Sequence, residues 1–351
     1  MNALYLTSIG EAAGKSALCA ALGRIFKSHG RKVGYLKPVA VVGQKADAND
    51  KDTECIKLAL VLEEPVELLC PVSLSAKDFL ASANEKEPGW LKKAKEAYAQ
   101  VSLGKDLILI EGVGGFKAGS AQALAGSRIV ETLGAKAILI ASYESNLQAS
   151  QIVDAAEALA GHLLGVVINA VPQRRIVSVK ATMVKSVEQS GIRVLGVLPE
   201  DRALLTVSVG ELAEHLGGSI INLPERSDNL VEAVMVGAMS PDPAISYLSL
   251  KQNKAVVTRG DRPDIQLGAL RTSISCLVLT NNINPLTNIL SLANAGKVPI
   301  VIVKDGTLHT MEALEGVLDK AKFSHEKKVD RLEQLLEQHL DLESIFQAVF
   351  A

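Results

Sequence analysis

The chain has 351 residues, 48% of them hydrophobic and 22% charged, a balance that suits a compact protein of two domains and leaves little room for disorder. A formal net charge of -2 without a Lys/Arg run, together with only 3% aromatic residues, excludes the basic footprint and the stacking platforms of a nucleic-acid binder. The longest apolar runs are strand-sized, below the roughly 20 residues a membrane span needs, and the opening MNALYLTSIG has neither a basic nor a long apolar leader region, so a cytoplasmic protein without a membrane partner is expected.

From the N-terminus, apolar runs of strand length recur at about 3–8, 33–39, 106–110, 136–142, 163–169 and 194–198, with helix-length segments between them, clearest at 15–28 and 148–161. This alternation predicts an α/β fold built on a doubly wound, mostly parallel sheet covered on both faces. A polar break from Gly217-Gly218 to Asp228 places a boundary near 218, giving a first domain over 1–217. Beyond it, strand 254–258, helix 263–271, strand 275–280, helix 285–296, strand 299–303 and helix 307–322 predict a smaller α/β domain over 218–325. Residues 326–351 read as a C-terminal amphipathic helix, with Leu332, Leu335, Leu336, Leu340, Ile345 and Val349 at helical spacing. That helix is expected to dock on the protein or on a second subunit, and a homodimer is expected. Its acidic face argues against an anionic membrane.

The strongest local signal is TSIGEAAGKSALCAALGRI. A strand ends at Ser8, a loop of small residues follows, and Lys15-Ser16 open a helix. Backbone N–H groups of such a loop face phosphate oxygens; here they come from Gly10, Glu11, Ala12, Ala13, Gly14, Lys15, Ser16 and Ala17. Lys15 can neutralise the β- and γ-phosphates of ATP, and the Ser16 hydroxyl can ligate Mg²⁺. Ile9 stands at the first glycine position of the usual pattern, with Gly10 displaced by one.

Further residues lie where a nucleotide site needs them. Lys37, in GYLKPV, reaches the carboxyl end of the sheet and is read as catalytic together with Lys15. Asp52 precedes the helix TECIKLALVL, and Glu111 follows the strand DLILI just before Gly112-Val113-Gly114-Gly115. With Ser16, the two carboxylates form a sensible Mg²⁺ set. Asp52 is also an N-cap candidate and Lys37 a candidate solvated strand-end lysine. The four cysteines lack metal-ligand spacing, and Cys19 and Cys276 sit in apolar runs as core residues.

The series GKS, GYLKPV, Asp52 and IEGVGG resembles the dethiobiotin-synthetase-like (BioD-like) branch of P-loop proteins over about residues 1–217. The resemblance implies ATP and Mg²⁺ as cofactors, assigns Lys15, Ser16, Lys37, Asp52 and Glu111 to ATP, metal and substrate, and places Asn169, at the end of GVVIN, against the adenine. Synthetases of that family carry a threonine-rich P-loop and a serine a few residues after the KPV lysine, where this chain has Glu11 and Val41. Dethiobiotin synthesis itself is therefore not expected.

The stretch AVVTRGDRPDIQLGAL, with VGAM before it and LVLTNNINPLTNIL and KDGTLHT after it, resembles the DRTGG domain. A BioD-like domain followed by DRTGG is the N-terminal arrangement of long bacterial phosphotransacetylases and their stand-alone relatives, so a regulatory ATP-binding protein lacking the transferase domain is expected, with a small-molecule effector or substrate. The alternative is an ATP-dependent ligase that activates a carboxylate. Within the second domain, Asp264 is expected to cap its helix, Arg262 is a candidate for an anionic effector, and Asn281-Asn282 replace an expected glycine pair.

Overall fold

The structure is a computed structural model that describes residues 2–10, 13–42, 50–83, 85, 87–159, 161–315 and 326–350. Glu11 and Ala12 of the expected phosphate loop lie outside the described residues. Contacts divide the chain into two compact units, one formed by 1–200 with 326–351 and the other by 201–325. The polar break at 217–228 therefore falls inside the second unit. No helix among the described residues is long and apolar enough to cross a membrane.

The first unit is built on a parallel six-stranded sheet in the order β2-β5-β1-β6-β7-β8. Its strands are β1 (Asn2–Ser8), β2 (Val33–Leu36), β5 (Leu107–Glu111), β6 (Lys136–Ser142), β7 (Leu163–Val171) and β8 (Val194–Pro199). The expected strand 33–39 stops at Leu36, because Pro38 has no N–H for a ladder bond. The chain resumes as β3 (Ala40–Val42), which pairs in parallel with β4 (Ser73–Ser75) in a separate ribbon. Strand β5, LILIE, is buried at every position, as a strand covered on both faces should be.

The helices are α1 (Lys15–Ser28), α2 (Lys51–Ala59), α3 (Val66–Leu69), α4 (Ala76–Ala83), α5 (Gly89–Val101), α6 (Ala121–Leu133), α7 (Ala149–Glu157), α8 (Ile176–Val179) and α9 (Lys185–Gln189). The expected helix 15–28 is α1, which buries Leu18, Cys19, Leu22, Ile25 and Phe26. The β1-to-β2 crossover runs one way along the sheet, and those from β2 through β8 run the other. Right-handed connections therefore set α1 on one face and α5, α6, α7 and α9 on the opposite one.

The second unit has a five-stranded sheet, order β10-β15-β14-β13-β12. Strands β12 (Ala233–Val236), β13 (Lys254–Arg259), β14 (Ile274–Thr280) and β15 (Ile300–Ile302) run parallel, and β10 (Ser219–Ile220) closes one edge antiparallel to β15. Beside them β9 (Val207–Ser208) pairs with β11 (Leu230–Val231). The connecting helices are α10 (Val209–His215), α11 (Pro241–Leu248), α12 (Pro263–Leu270), α13 (Thr287–Ala295) and α14 (Thr307–Leu314). Strand alternation sorts the core into two layers. Ala255, Val257, Cys276 and Val278 face Leu212 and Leu314, whereas Val256, Leu277 and Leu279 face Leu248, Ala269 and Ala293.

The C-terminal segment forms two helices, α15 (Glu326–His339) and α16 (Leu342–Phe350), rather than one. Asp341 breaks the run, its carboxylate accepting the Ser344 N–H at 3.1 Å, as a residue capping a new helix does. Both helices belong to the first unit: α15 packs on α1 and β8, and α16 on β1. They lie on the face of the sheet that carries α1. Val329, Leu332, Leu335, Leu336, Ile345 and Val349 are buried. Arg24 of α1 pairs with Asp330 at 2.8 Å and Glu333 at 2.5 Å, and the Phe26 ring meets Phe346 and Phe350 at 5.6 and 5.8 Å. At the sheet edge Gly196 bridges to Leu340, and Asp341 N–H donates to the Leu195 carbonyl at 2.8 Å. A Cβ on Gly196 would lie 2.3 Å from the His339 carbonyl oxygen. Gly196→Val should therefore push the segment off the sheet and lower the thermal midpoint by about 5 °C, measured by scanning calorimetry; an unchanged midpoint would show that the contact is dispensable.

Candidate functional site

The site forms at the carboxyl ends of β1, β2 and β5, where ligands sit in open α/β sheets. Ile9 extends β1, its N–H donating to the Ile140 carbonyl at 3.0 Å. Gly14 precedes α1 in a left-handed conformation, φ 85° and ψ 22°, which an L side chain resists. A Cβ there would also lie 2.9 Å from Asn169 Nδ2. The loop after β5 is tied to β1: Gly112 N–H donates to Leu6 O at 2.8 Å and Phe116 N–H to Ser8 O at 2.8 Å.

Lys15 opens α1 only 8% exposed, its Nζ 3.2 Å from Ser8 Oγ. Burial draws its ammonium below the ordinary lysine range, with Glu111 acting the other way. Ser16, in the next position, donates its hydroxyl to Glu111 Oε1 at 2.8 Å. The Ala17 side chain is half-buried one residue further on. Glu111 itself is 2% exposed, and its Oε2 accepts the Tyr35 hydroxyl at 2.7 Å. Lys37 Nζ stands 3.7 Å from Glu111 Oε1 and 2.7 Å from Asp50 Oδ2. Burial opposes the charge on Lys37, but Glu111, Asp50 and Asp52 outweigh it and hold the ammonium above its usual range.

The sequence pattern points to Asp52 as the acid ahead of the helix. The helix starts at Lys51, so Asp52 lies in its first turn, 43% exposed and 3.9 Å from Lys37 Nζ. Asp50 is the N-cap: its carboxylate accepts the Thr53 N–H at 3.3 Å and hydroxyl at 2.6 Å while it pairs with Lys37. An acid three residues ahead of Thr53 carried that signal. Tyr35 was missed as well, although the strand period of two sets it on the same face as Lys37. Asn169 joins the loop from β7, donating Nδ2–H to Ala13 O at 3.0 Å and accepting the Ala170 N–H at 2.8 Å.

Among the described residues, no three carboxylate, imidazole or thiol side chains form a metal-holding group. One hydroxyl and one carboxylate meet instead. That donor set fits a hard cation that draws its other ligands from phosphate oxygens and water, as Mg²⁺ does beside a nucleotide. Next to Gly10, on the side of β6, lies a cavity of about 510 Å³ lined by Gly115, Lys117, Ser142, Glu144 and Gln151 among others.

In the second unit, Arg262 donates to both Asp264 oxygens, at 2.9 and 2.8 Å, and to Met239 O at 2.9 Å. Arg262 itself is the N-cap residue of α12, and Asp264, in the first turn, holds the arginine while its carboxylate also accepts backbone N–H groups there. Asn281 and Asn282 both have positive φ, 67° and 54°, the conformation for which asparagine is the usual substitute for glycine.

An AAA domain family model matches residues 2–207 and a DRTGG domain model matches residues 211–317. The phosphate acetyltransferase of Nitratidesulfovibrio vulgaris is 26% identical over 361 residues, covering 97% of this chain and 50% of its own length. That of Pseudomonas putida is 22% identical over 360 residues, covering 97% and 51%. The chain thus spans about half the length of the curated relatives it matches. Among solved structures it is similar to the MinD cell division protein of Aquifex aeolicus, 18% identical with a TM-score of 0.35, covering 58% of this chain and 85% of that one. A P-loop built on Gly14, Lys15 and Ser16 and the match over 2–207 agree: the chain belongs to the AAA domain family in its BioD-like P-loop form, with a DRTGG domain behind it, the architecture found in long phosphate acetyltransferases.

Proposed function

We propose that the first unit binds ATP with Mg²⁺ and that the chain is regulatory, its nucleotide state being read out together with a small-molecule effector of the DRTGG domain. The observation that carries this reading is the Ser16 hydroxyl on Glu111 Oε1 at 2.8 Å, at the mouth of a helix whose first residue is the buried Lys15. In this reading Gly10 to Ala17 cradle the phosphates, Lys15 and Lys37 neutralise them, and Ser16 and Glu111 hold the metal with Asp50 or Asp52 behind it. Asn169 braces the loop and borders the base. Titration calorimetry with ATP, GTP and ADP, each with and without Mg²⁺, tests it: ATP is expected to bind more tightly with Mg²⁺ than without, and absence of heat with every nucleotide would refute the reading.

A second reading, an ATP-dependent ligase that activates a carboxylate, is favoured by the polar cavity beside Gly10. Stimulation of ATP hydrolysis by one compound from a panel of acids, amines and bicarbonate would select it over the regulatory reading.

A further inference from the structure

We propose that Tyr35 is a positioning residue that commits one oxygen of Glu111 to the protein and leaves the other for the divalent cation; the proposal rests on the nucleotide and metal reading of the same site. Glu111 is 2% exposed, so water cannot satisfy its oxygens and each needs a protein donor or a cation. Oε2 has the Tyr35 hydroxyl at 2.7 Å, and Oε1 has the Ser16 hydroxyl at 2.8 Å.

The two contacts differ in permanence. Ser16 is the second residue of α1, at the edge of the phosphate loop, and its hydroxyl can donate to Oε1 while its oxygen turns to a cation. Tyr35 is fully buried within β2, paired in parallel with β5 at Leu109. Its ring has few rotamers and no room to leave. A phenol O–H is a donor at neutral pH, and here it is aimed at Oε2. Oε2 is therefore held toward the buried phenol, and the oxygen turned toward Ser16 and Lys37 Nζ, Oε1, is the one placed to meet a cation. The chain of groups Tyr35, Glu111, Ser16 converts the register between β2 and β5 into the placement of one carboxylate oxygen.

Calorimetry on Tyr35→Phe tests this, with ATP as the probe in the presence and absence of Mg²⁺. The metal-free affinity should stay within about two-fold of the parent chain, and the gain on adding Mg²⁺ should shrink about ten-fold, the worth of one hydrogen bond to a charged group. In a Glu111→Ala background, Tyr35→Phe should change the Mg²⁺ gain no further. An unchanged gain in Tyr35→Phe, equal losses with and without Mg²⁺, or a further loss in the Glu111→Ala background would each overturn the proposal. A parent chain that binds ATP equally with and without Mg²⁺ would instead strike the metal reading, and Tyr35 with it. Should the Phe variant not fold, fluorine NMR of the parent chain labelled with 3-fluorotyrosine decides: the Tyr35 resonance should shift when Mg²⁺ joins the ATP complex, and a fixed resonance overturns the proposal.

Discussion

Lys15→Ala should weaken binding of ATP with Mg²⁺ on the order of a hundred-fold, the loss expected when a buried ammonium no longer meets phosphate oxygens. The residue is placed for this by three features at once: the left-handed Gly14 before it, the start of α1 at its own position, and the Ser8 hydroxyl 3.2 Å from Nζ. Burial holds its ammonium below the usual range, whereas Lys37 is held above it. The sign follows: as pH rises, Lys15 discharges first, so affinity should begin to fall at alkaline pH before Lys37 loses its proton. Calorimetry across that range, with circular dichroism to confirm the fold of the variant, measures both effects. A loss below about three-fold would remove Lys15 from the phosphate site.

Deleting residues 326–351 should unfold the first unit. The deletion uncovers the face of the sheet that α1 shares with α15 and strips Phe26 of Phe346 and Phe350. The lost burial of Val329, Leu332, Leu335, Leu336, Leu340, Ile345 and Val349 amounts to roughly 10 kcal/mol or more, comparable with the whole stability of a typical domain. The truncated chain should lose its first thermal transition or aggregate, while the transition of 201–325 persists. A truncated chain with both transitions intact would show that the segment is an accessory.

Much of this was legible in the sequence. Continuous apolar runs such as DLILI announced strands covered on both faces, and the α1 limits follow from Gly14 before it and Gly30, at φ 77°, after it. What escaped was pairing at a distance. Helical spacing in 326–350 shows that one face is apolar but not what covers it. The edge strand β10 has only two residues, Ser219–Ile220, too few to show a period, so it reads as a polar break. Within the site, the chemistry-bearing types stood out, whereas Tyr35 reads as a core aromatic until the register of β2 on β5 brings it to Glu111.

The division of the first unit by the second has a consequence for how the chain is made. On the ribosome, residues 1–200 emerge with the α1 side of their sheet only partly covered, and they stay so while all of 201–325 is synthesised, because α15 and α16 follow only afterwards. During that interval β8 presents an open edge and apolar side chains wait for a cover encoded more than a hundred residues later. Such an intermediate invites chaperone capture or wrong pairing between neighbouring nascent chains, so the yield of native protein should depend on translation speed through the inserted unit more than on the stability of the finished molecule.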